Sequence, residues 1–227
     1  MAVGLAGMAA GASKRALVLL LPSLALALAM AASPGPLVKA DVLISAGHEG
    51  RPENCHLFPK RPCNLGTPGE REATPIVADE ATRVLQAAGV DVVRVPADYF
   101  GHYEVRAAIF IHFDGAVPAC STGASLGYPA GDTAAAHAWR QLYAPRFPFR
   151  FMPDNFTESL SHYYGFHTVE PNPTTLVLEL GELTCPLQHL WLKTRYKWLG
   201  ELVAHFVSER IGKGNVPIPK EISTRRS

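Results

Sequence analysis

The sequence predicts an α/β fold: a single three-layer domain built on a mixed, mostly parallel sheet with helices on both faces. Two observations carry this. Three short apolar runs, at 42–45, 107–111 and 175–180, are long enough for strands and too short for helices. Around them, apolar residues recur at helical spacing, first at Val77, Ala81, Val84, Leu85 and Ala88, later at Trp198, Leu199, Leu202, Val203, Phe206 and Val207. A length of 227 residues with 48% hydrophobic and 18% charged side chains fits one packed domain and argues against disorder.

The first stretch reads as an export signal over 1–31. Lys14-Arg15 supplies its positive end, an apolar run from Ala16 to Ala29 comes next, and Ala29-Met30-Ala31 fits a cleavage site. Val38-Lys39-Ala40 is a weaker second choice, and the alternative is an uncleaved anchor. The run is short for a bilayer span of about 20 residues, and no later segment is apolar enough to be one. Ser33-Pro34-Gly35-Pro36 marks a linker over 32–40. The formal charge is +1, and Lys14 and Arg15 lie in the leader, so no basic excess remains to attract nucleic acid. An exported protein, periplasmic or secreted, is expected.

The folded domain is expected over 41–212. Its first strand, Val42 to Ser45, runs into Gly47-His48-Glu49-Gly50. A long loop rich in Pro, Asn, Gly and Arg comes after it, with Glu70 at its end. Thr74 and Pro75 signal the start of a helix that Gly89 ends. Val90 to Val95 reads as a second strand and 96–106 as a loop. The strand from Ala107 to Ile111 stops at His112-Phe113-Asp114-Gly115. A small, polar stretch over 118–130 precedes a helix capped by Asp132 and running to Tyr143; 154–172 carries no readable period. Thr175 to Leu180 is a third strand, with Gly181 as its stop, and a long helix ends at Gly212. The tail over 213–227 is expected to be loose.

Chemistry gathers where apolar strands stop. His48 and His112 each come just after a buried strand, where open α/β sheets place their ligands, and Glu70 stands just before a predicted helix. Two histidines and one glutamate from separate elements make a three-ligand Zn2+ site with a fourth position left open, the catalytic arrangement. Taken singly, each has an ordinary reading: His48 capping a turn, His112 a hydrogen-bonded core residue, Glu70 and Glu72 first-turn acids favoured by the helix dipole. Glu72 is the reserve ligand if the helix starts late. His56, His102, His137, His162, His167, His189 and His205 are not singled out by spacing.

Four stretches in order resemble the zinc-dependent N-acetylmuramoyl-L-alanine amidases. Ser45-Ala46-Gly47-His48-Glu49-Gly50 is similar to their strand-Gly-His-Gly opening, and Glu70 to the glutamate that begins their first long helix, which here ends Ala87-Ala88-Gly89-Val90. Ile111-His112-Phe113-Asp114 resembles their Ile-His-Ala-Asn, and Leu178-Glu179-Leu180-Gly181 their late strand with a catalytic glutamate. The resemblance covers about residues 41 to 211. It implies metal ligands His48, Glu70 and His112 for Zn2+, and Glu179 as the general base that deprotonates a metal-bound water. The bond implied joins N-acetylmuramic acid to the L-alanine of the stem peptide, so the implied partner is peptidoglycan; an activator protein is left open. Glu49, Asp114 and Glu182 depart from the usual Gly, Asn and Phe, and the segment before His112 is short. Glu182, three residues beyond Glu179, is the second candidate base; because Gly181 should end the strand, it reads instead as a loop acid that is solvated or touches substrate.

Rival readings remain. Gly123-Ala124-Ser125-Leu126-Gly127 fits the Gly-x-Ser-x-Gly of serine hydrolases, with Ser125 as nucleophile, but lacks the strand before it and helix after it. A zinc carboxypeptidase would want His-x-x-Glu, and Arg51 and Gly115 stand in those places. A catalytically inactive cell-wall-binding domain is the third. Four cysteines in an exported chain indicate two disulfides, and none forms a Cys-x-x-Cys pair for zinc. The expected bonds are Cys55–Cys63, beside two proposed ligands, and Cys120–Cys185, both just past proposed site strands.

Overall fold

The computed structural model describes residues 36–57, 62–97, 101–131, 133–171 and 174–222. The leader and Asp132, the expected helix cap, lie outside those residues. In chain order the strands are β1 (Leu37–Lys39), β2 (Val42–Ala46), β3 (Val92–Val95), β4 (His102–Glu104), β5 (Ala107–Asp114), β6 (Ser125–Gly127) and β7 (Thr175–Glu182). The helices are α1 (Glu70–Ala87), α2 (Thr133–Tyr143), α3 (Glu158–Ser161), α4 (Pro186–Lys193) and α5 (Tyr196–Ile211).

Five strands form a mixed, mostly parallel sheet in the order β3-β2-β5-β7-β6, with only β6 antiparallel. The central strand β5 is buried from Ala107 to Phe113, which is why its residues form a near-continuous apolar run. Side chains alternate along it. Ile109, Ile111 and Phe113 join the main core with Val77, Ala81 and Leu85 of α1 and Leu199, Leu202 and Val203 of α5. Each fully buried Val or Leu there contributes roughly 1.5–3 kcal/mol. Ala108 and Phe110 face the other way, into a smaller cluster with Leu43, Leu160, Val169 and Val177. His112 continues that second series, so it emerges on the thinly covered face.

Several expected boundaries move. Residues 37–39, expected in the linker, form β1 and pair in parallel with β4, a strand inside the expected loop. Helix α1 begins at Glu70, four residues before the Thr74-Pro75 signal. Thr74 is not its cap; the hydroxyl donates to the Gly47 carbonyl at 2.7 Å and ties the helix to the loop after β2. The stretch 118–130 contains β6, and the long last helix is two, broken after Lys193. The tail is not loose immediately after α5: Val216 is buried, its N–H donates to Ser208 Oγ at 3.0 Å, and its carbonyl meets His205 Nδ1 at 2.8 Å. Strand β7 does not stop at Gly181. It reaches Glu182 through a bulge, where the three steps from Glu179 to Glu182 face the two steps from His112 to Asp114. Both expected disulfides are present, with Cα separations of 5.4 Å for Cys55–Cys63 and 4.5 Å for Cys120–Cys185. Among the described residues no helix is long and apolar enough to cross a membrane.

Candidate metal centre

Parallel strands β2 and β5 are neighbours, with Ala46 opposite Ile111, so the chain leaving β2 lies beside the end of β5. The Gly47 N–H donates to the Ile111 carbonyl at 2.8 Å and extends the pairing one residue further. His48 comes next, in a left-handed backbone conformation at φ 58°, which turns its side chain back over the strand ends. The two imidazoles meet edge to face with ring centroids 5.0 Å apart.

Glu70 enters from the first turn of α1 and is 2% exposed. Its Oε1 lies 2.9 Å from His112 Nδ1 and accepts the Phe113 N–H at 3.1 Å. Its Oε2 accepts the Thr67 N–H at 2.9 Å and lies 3.6 Å from His48 Nε2. Burial alone would push this carboxyl up, but the hydrogen bond with His112, the two imidazoles and the Phe113 amide outweigh it and hold the pKa below the usual glutamate value. Burial, with His112 adding to it, pushes the pKa of His48 down, towards the neutral ring that a metal needs. One nitrogen from each histidine and one oxygen of Glu70 lie within 4.8 Å of one another. This donor set, two imidazoles and one carboxylate from a turn, a strand and a helix, fits Zn2+. Glu72 is no substitute, because its side chain is 69% exposed.

Two glycines make room. A Cβ on Gly47 would stand 2.5 Å from both ring nitrogens of His112. Gly66, at φ +73°, allows the chain to pass so close that a Cβ would stand 2.7 Å from His48 Cδ2. The loop between them also sets the tautomer of His48: Nδ1 lies 3.0 Å from the Asn64 carbonyl, which can only accept, so Nε2 is left for the cluster.

Glu179 of β7 sits directly opposite His112 in the sheet and shares its face. The side chain is half-buried, yet Oε2 is fully buried and has no hydrogen-bond partner among the described residues. Burial, reinforced by the charges of Glu70 and Asp114, raises its pKa well above the usual glutamate value. Arg106, a conceivable partner, instead pairs with Asp41 at 3.8 Å. Glu182 behaves differently. It is fully buried, and four donors converge on it: the Cys120 N–H at 2.6 Å, the Thr122 N–H at 2.9 Å, and the hydroxyls of Thr122 and Thr184 at 3.0 and 2.6 Å. Burial favours its neutral form, but these bonds prevail and lower the pKa. It is not a loop acid but the anchor of the loop around Cys120.

The cluster lies between two adjoining clefts of about 450 and 440 Å3, both reaching His48, His112, Asp114 and Glu179. Arg51, Thr157, Tyr163 and Tyr164 line the first, and Thr67, Gly115, Val117 and Thr184 the second. Glu49 is turned away, in an ion pair with Arg94 at 2.7 Å. Ser125 stands inside β6, fully buried, its hydroxyl without a hydrogen-bond partner among the described residues, so the serine-nucleophile reading fails for want of both elbow and base. Sequence reasoning missed the contribution of 154–172. Its Phe156, Tyr163, Tyr164 and Phe166 are an aromatic concentration that marks partly buried packing even without a period.

No family model and no curated protein matches this chain in sequence. Solved structures do resemble it in fold. The N-acetylmuramyl-L-alanine amidase Ami1 from Mycobacterium smegmatis superposes with a TM-score of 0.57 at 15% identity, over 79% of this chain and 98% of that one. The N-acetylmuramoyl-L-alanine amidase AmiC2 of Nostoc punctiforme gives 0.55 at 16%, over 77% and 98%. The CwlD amidase from Clostridioides difficile, solved in complex with the GerS lipoprotein, gives 0.51 at 12%, over 76% and 98%.

Proposed function

We propose that this chain, which has the fold of the N-acetylmuramoyl-L-alanine amidases, is itself a zinc-dependent amidase. It cleaves the amide between N-acetylmuramic acid and L-alanine in peptidoglycan, and residues 41–212 are its catalytic domain. The observation that carries the reading is the meeting of His48, Glu70 and His112, with, on the face of His112, a carboxylate oxygen of Glu179 that has no partner among the described residues. A fold alone would not place those four side chains together.

His48, Glu70 and His112 would hold the ion. A Zn2+ held there would supply Lewis acidity, to make water a better nucleophile near neutral pH and to polarise the scissile carbonyl. Glu179 manages the proton. Its Oε2 takes one proton from the attacking water and returns it to the nitrogen of the departing L-alanine. The β7 backbone, paired on both sides, keeps this oxygen in place. The two clefts suit a substrate with an arm on each side of the reacting bond, glycan on one and peptide on the other. Two disulfides accord with export to an oxidising compartment.

The test uses the purified chain without residues 1–31. Metal analysis should give one Zn2+ per chain, and digestion of peptidoglycan should release new L-alanine amino termini that a chelator abolishes. A protein that binds Zn2+ and cell wall but releases no termini would be the inactive binding domain instead.

A further inference from the structure

Both candidate ligand imidazoles have a second nitrogen, and each is occupied. For His48 the partner is a backbone carbonyl. For His112 it is a side chain: Nε2 lies 3.0 Å from the Tyr163 hydroxyl. Tyr163 belongs to the stretch before a short 3-10 turn (Tyr164–His167) on the thinly covered face. Its ring is wedged between Phe110 and Phe166, at centroid distances of 5.0 and 5.8 Å, and stands edge-on to the His112 ring at 5.4 Å. The hydroxyl is therefore aimed at Nε2 by packing and not by the hydrogen bond alone.

The donor and acceptor inventory says what this pair does. His112 Nδ1 faces Glu70 Oε1, and an ionised carboxylate only accepts. In a neutral ring that gives its Nδ1–H to Glu70, Nε2 is bare and accepts from the Tyr163 O–H. If a cation takes Nδ1, the one ring proton must sit on Nε2, and the same bond reverses: Nε2–H donates to the Tyr163 oxygen. A hydroxyl serves in both directions, whereas lysine could only donate and a carbonyl only accept. A metal-bound imidazole is the more acidic N–H donor, so the bond is stronger in the loaded state.

We propose that Tyr163 is a positioning residue for the metal centre, a reversible hydrogen-bond partner that holds the His112 ring with Nδ1 towards the ion before and after loading. The inference rests on the zinc reading above. Partners of this kind typically contribute 10–100-fold to metal affinity.

The experiment compares the wild type with Tyr163→Phe, which keeps the ring and its packing. Zinc affinity is measured by competition with a chelating dye, and thermal unfolding is measured without metal. In the zinc-loaded wild type, nitrogen-15 NMR of labelled histidine should show a His112 Nε2–H proton protected from exchange. Y163F should bind zinc about 10–100-fold more weakly, lose that protection and unfold without metal at nearly the wild-type temperature. Equal zinc affinity in the two proteins, or an unprotected Nε2–H in the loaded wild type, would overturn the proposal while leaving the amidase reading intact. A Y163F that unfolds early when metal-free yet binds zinc as tightly assigns Tyr163 to packing alone, and also overturns it. A wild type that binds no Zn2+ overturns the amidase reading and this inference with it.

Discussion

Replacing Glu179 with Gln separates chemistry from architecture at this site. The amide has nearly the size of the carboxyl group, and Oε2 has no hydrogen-bond partner among the described residues for the change to disrupt. It also removes a carboxyl that burial and the charges of Glu70 and Asp114 make reluctant to ionise. The fold should therefore be as stable as before, or more so, and zinc should bind no worse. Turnover is another matter. Glutamine takes up no proton near neutral pH, and loss of a general base costs 10²–10⁴-fold, a barrier increase of about 3–5 kcal/mol. The assay is release of L-alanine amino termini from a muramyl peptide at saturating substrate, with zinc content and thermal midpoint measured on the same samples. A variant that keeps more than a tenth of wild-type turnover with its zinc in place would refute the assignment. So would one that loses zinc, since the oxygen would then belong to the ligand set.

Glu182→Gln should fail in the opposite way: either orientation of the amide turns an NH2 towards a backbone N–H, from Cys120 or Thr122, so stability should fall by about 1–3 kcal/mol while the folded fraction keeps most of its turnover. The same residue sets a pH signature. Its folded pKa lies below the ordinary glutamate value of about 4.3, so it binds fewer protons folded than unfolded; its contribution is complete above that value and is lost as pH falls through the lowered one. Denaturant midpoints between pH 6 and 3 should drop less steeply in E182Q, and parallel curves would show that the four hydrogen bonds do not favour the ionised form. Gly47→Ala puts a methyl group against the His112 ring and should weaken zinc binding at least tenfold, measured by chelator competition; unchanged affinity would mean that the ring moves aside without cost. Loop-closure entropy ranks the disulfides: separations of 65 and 8 residues predict losses of about 4 kcal/mol for Cys120–Cys185 and about 2.5 kcal/mol for Cys55–Cys63 on double replacement by Ala, and the reverse order would expose a structural role for the short loop.

What could be read in the sequence was whatever a local pattern encodes. The apolar run into His112 is legible because β5 is covered on both faces, and Gly47-His48 because a buried strand must end in a turn. The start of α1 is not legible because Thr74 and Pro75 offer the usual signal, whereas Glu70 is drawn into the first turn by groups distant in sequence, chiefly His112 and Phe113. The place of Glu182 is hidden for a similar reason. A glycine looks like a stop, and only the register of the neighbouring strand shows a bulge. Strand β6 and the segment around Tyr163 have almost no pattern of their own. Their structure comes from contacts with β7 and Phe110, which no window of sequence contains.

The unequal covering of the two sheet faces sets where the molecule opens most readily. Behind the sheet, α1 and α5 seal the apolar layer with long helices; in front, Leu160 lies on a four-residue helix, Phe166 on a single turn, and Tyr163 on the link between them. Little apolar area is uncovered when that front segment lifts, so its local opening free energy is well below that of global unfolding. Backbone amides over 156–167 should exchange with deuterium long before those of β5 and α5. Opening there would widen the cleft lined by Thr157, Tyr163 and Tyr164, while the scaffold behind stays closed.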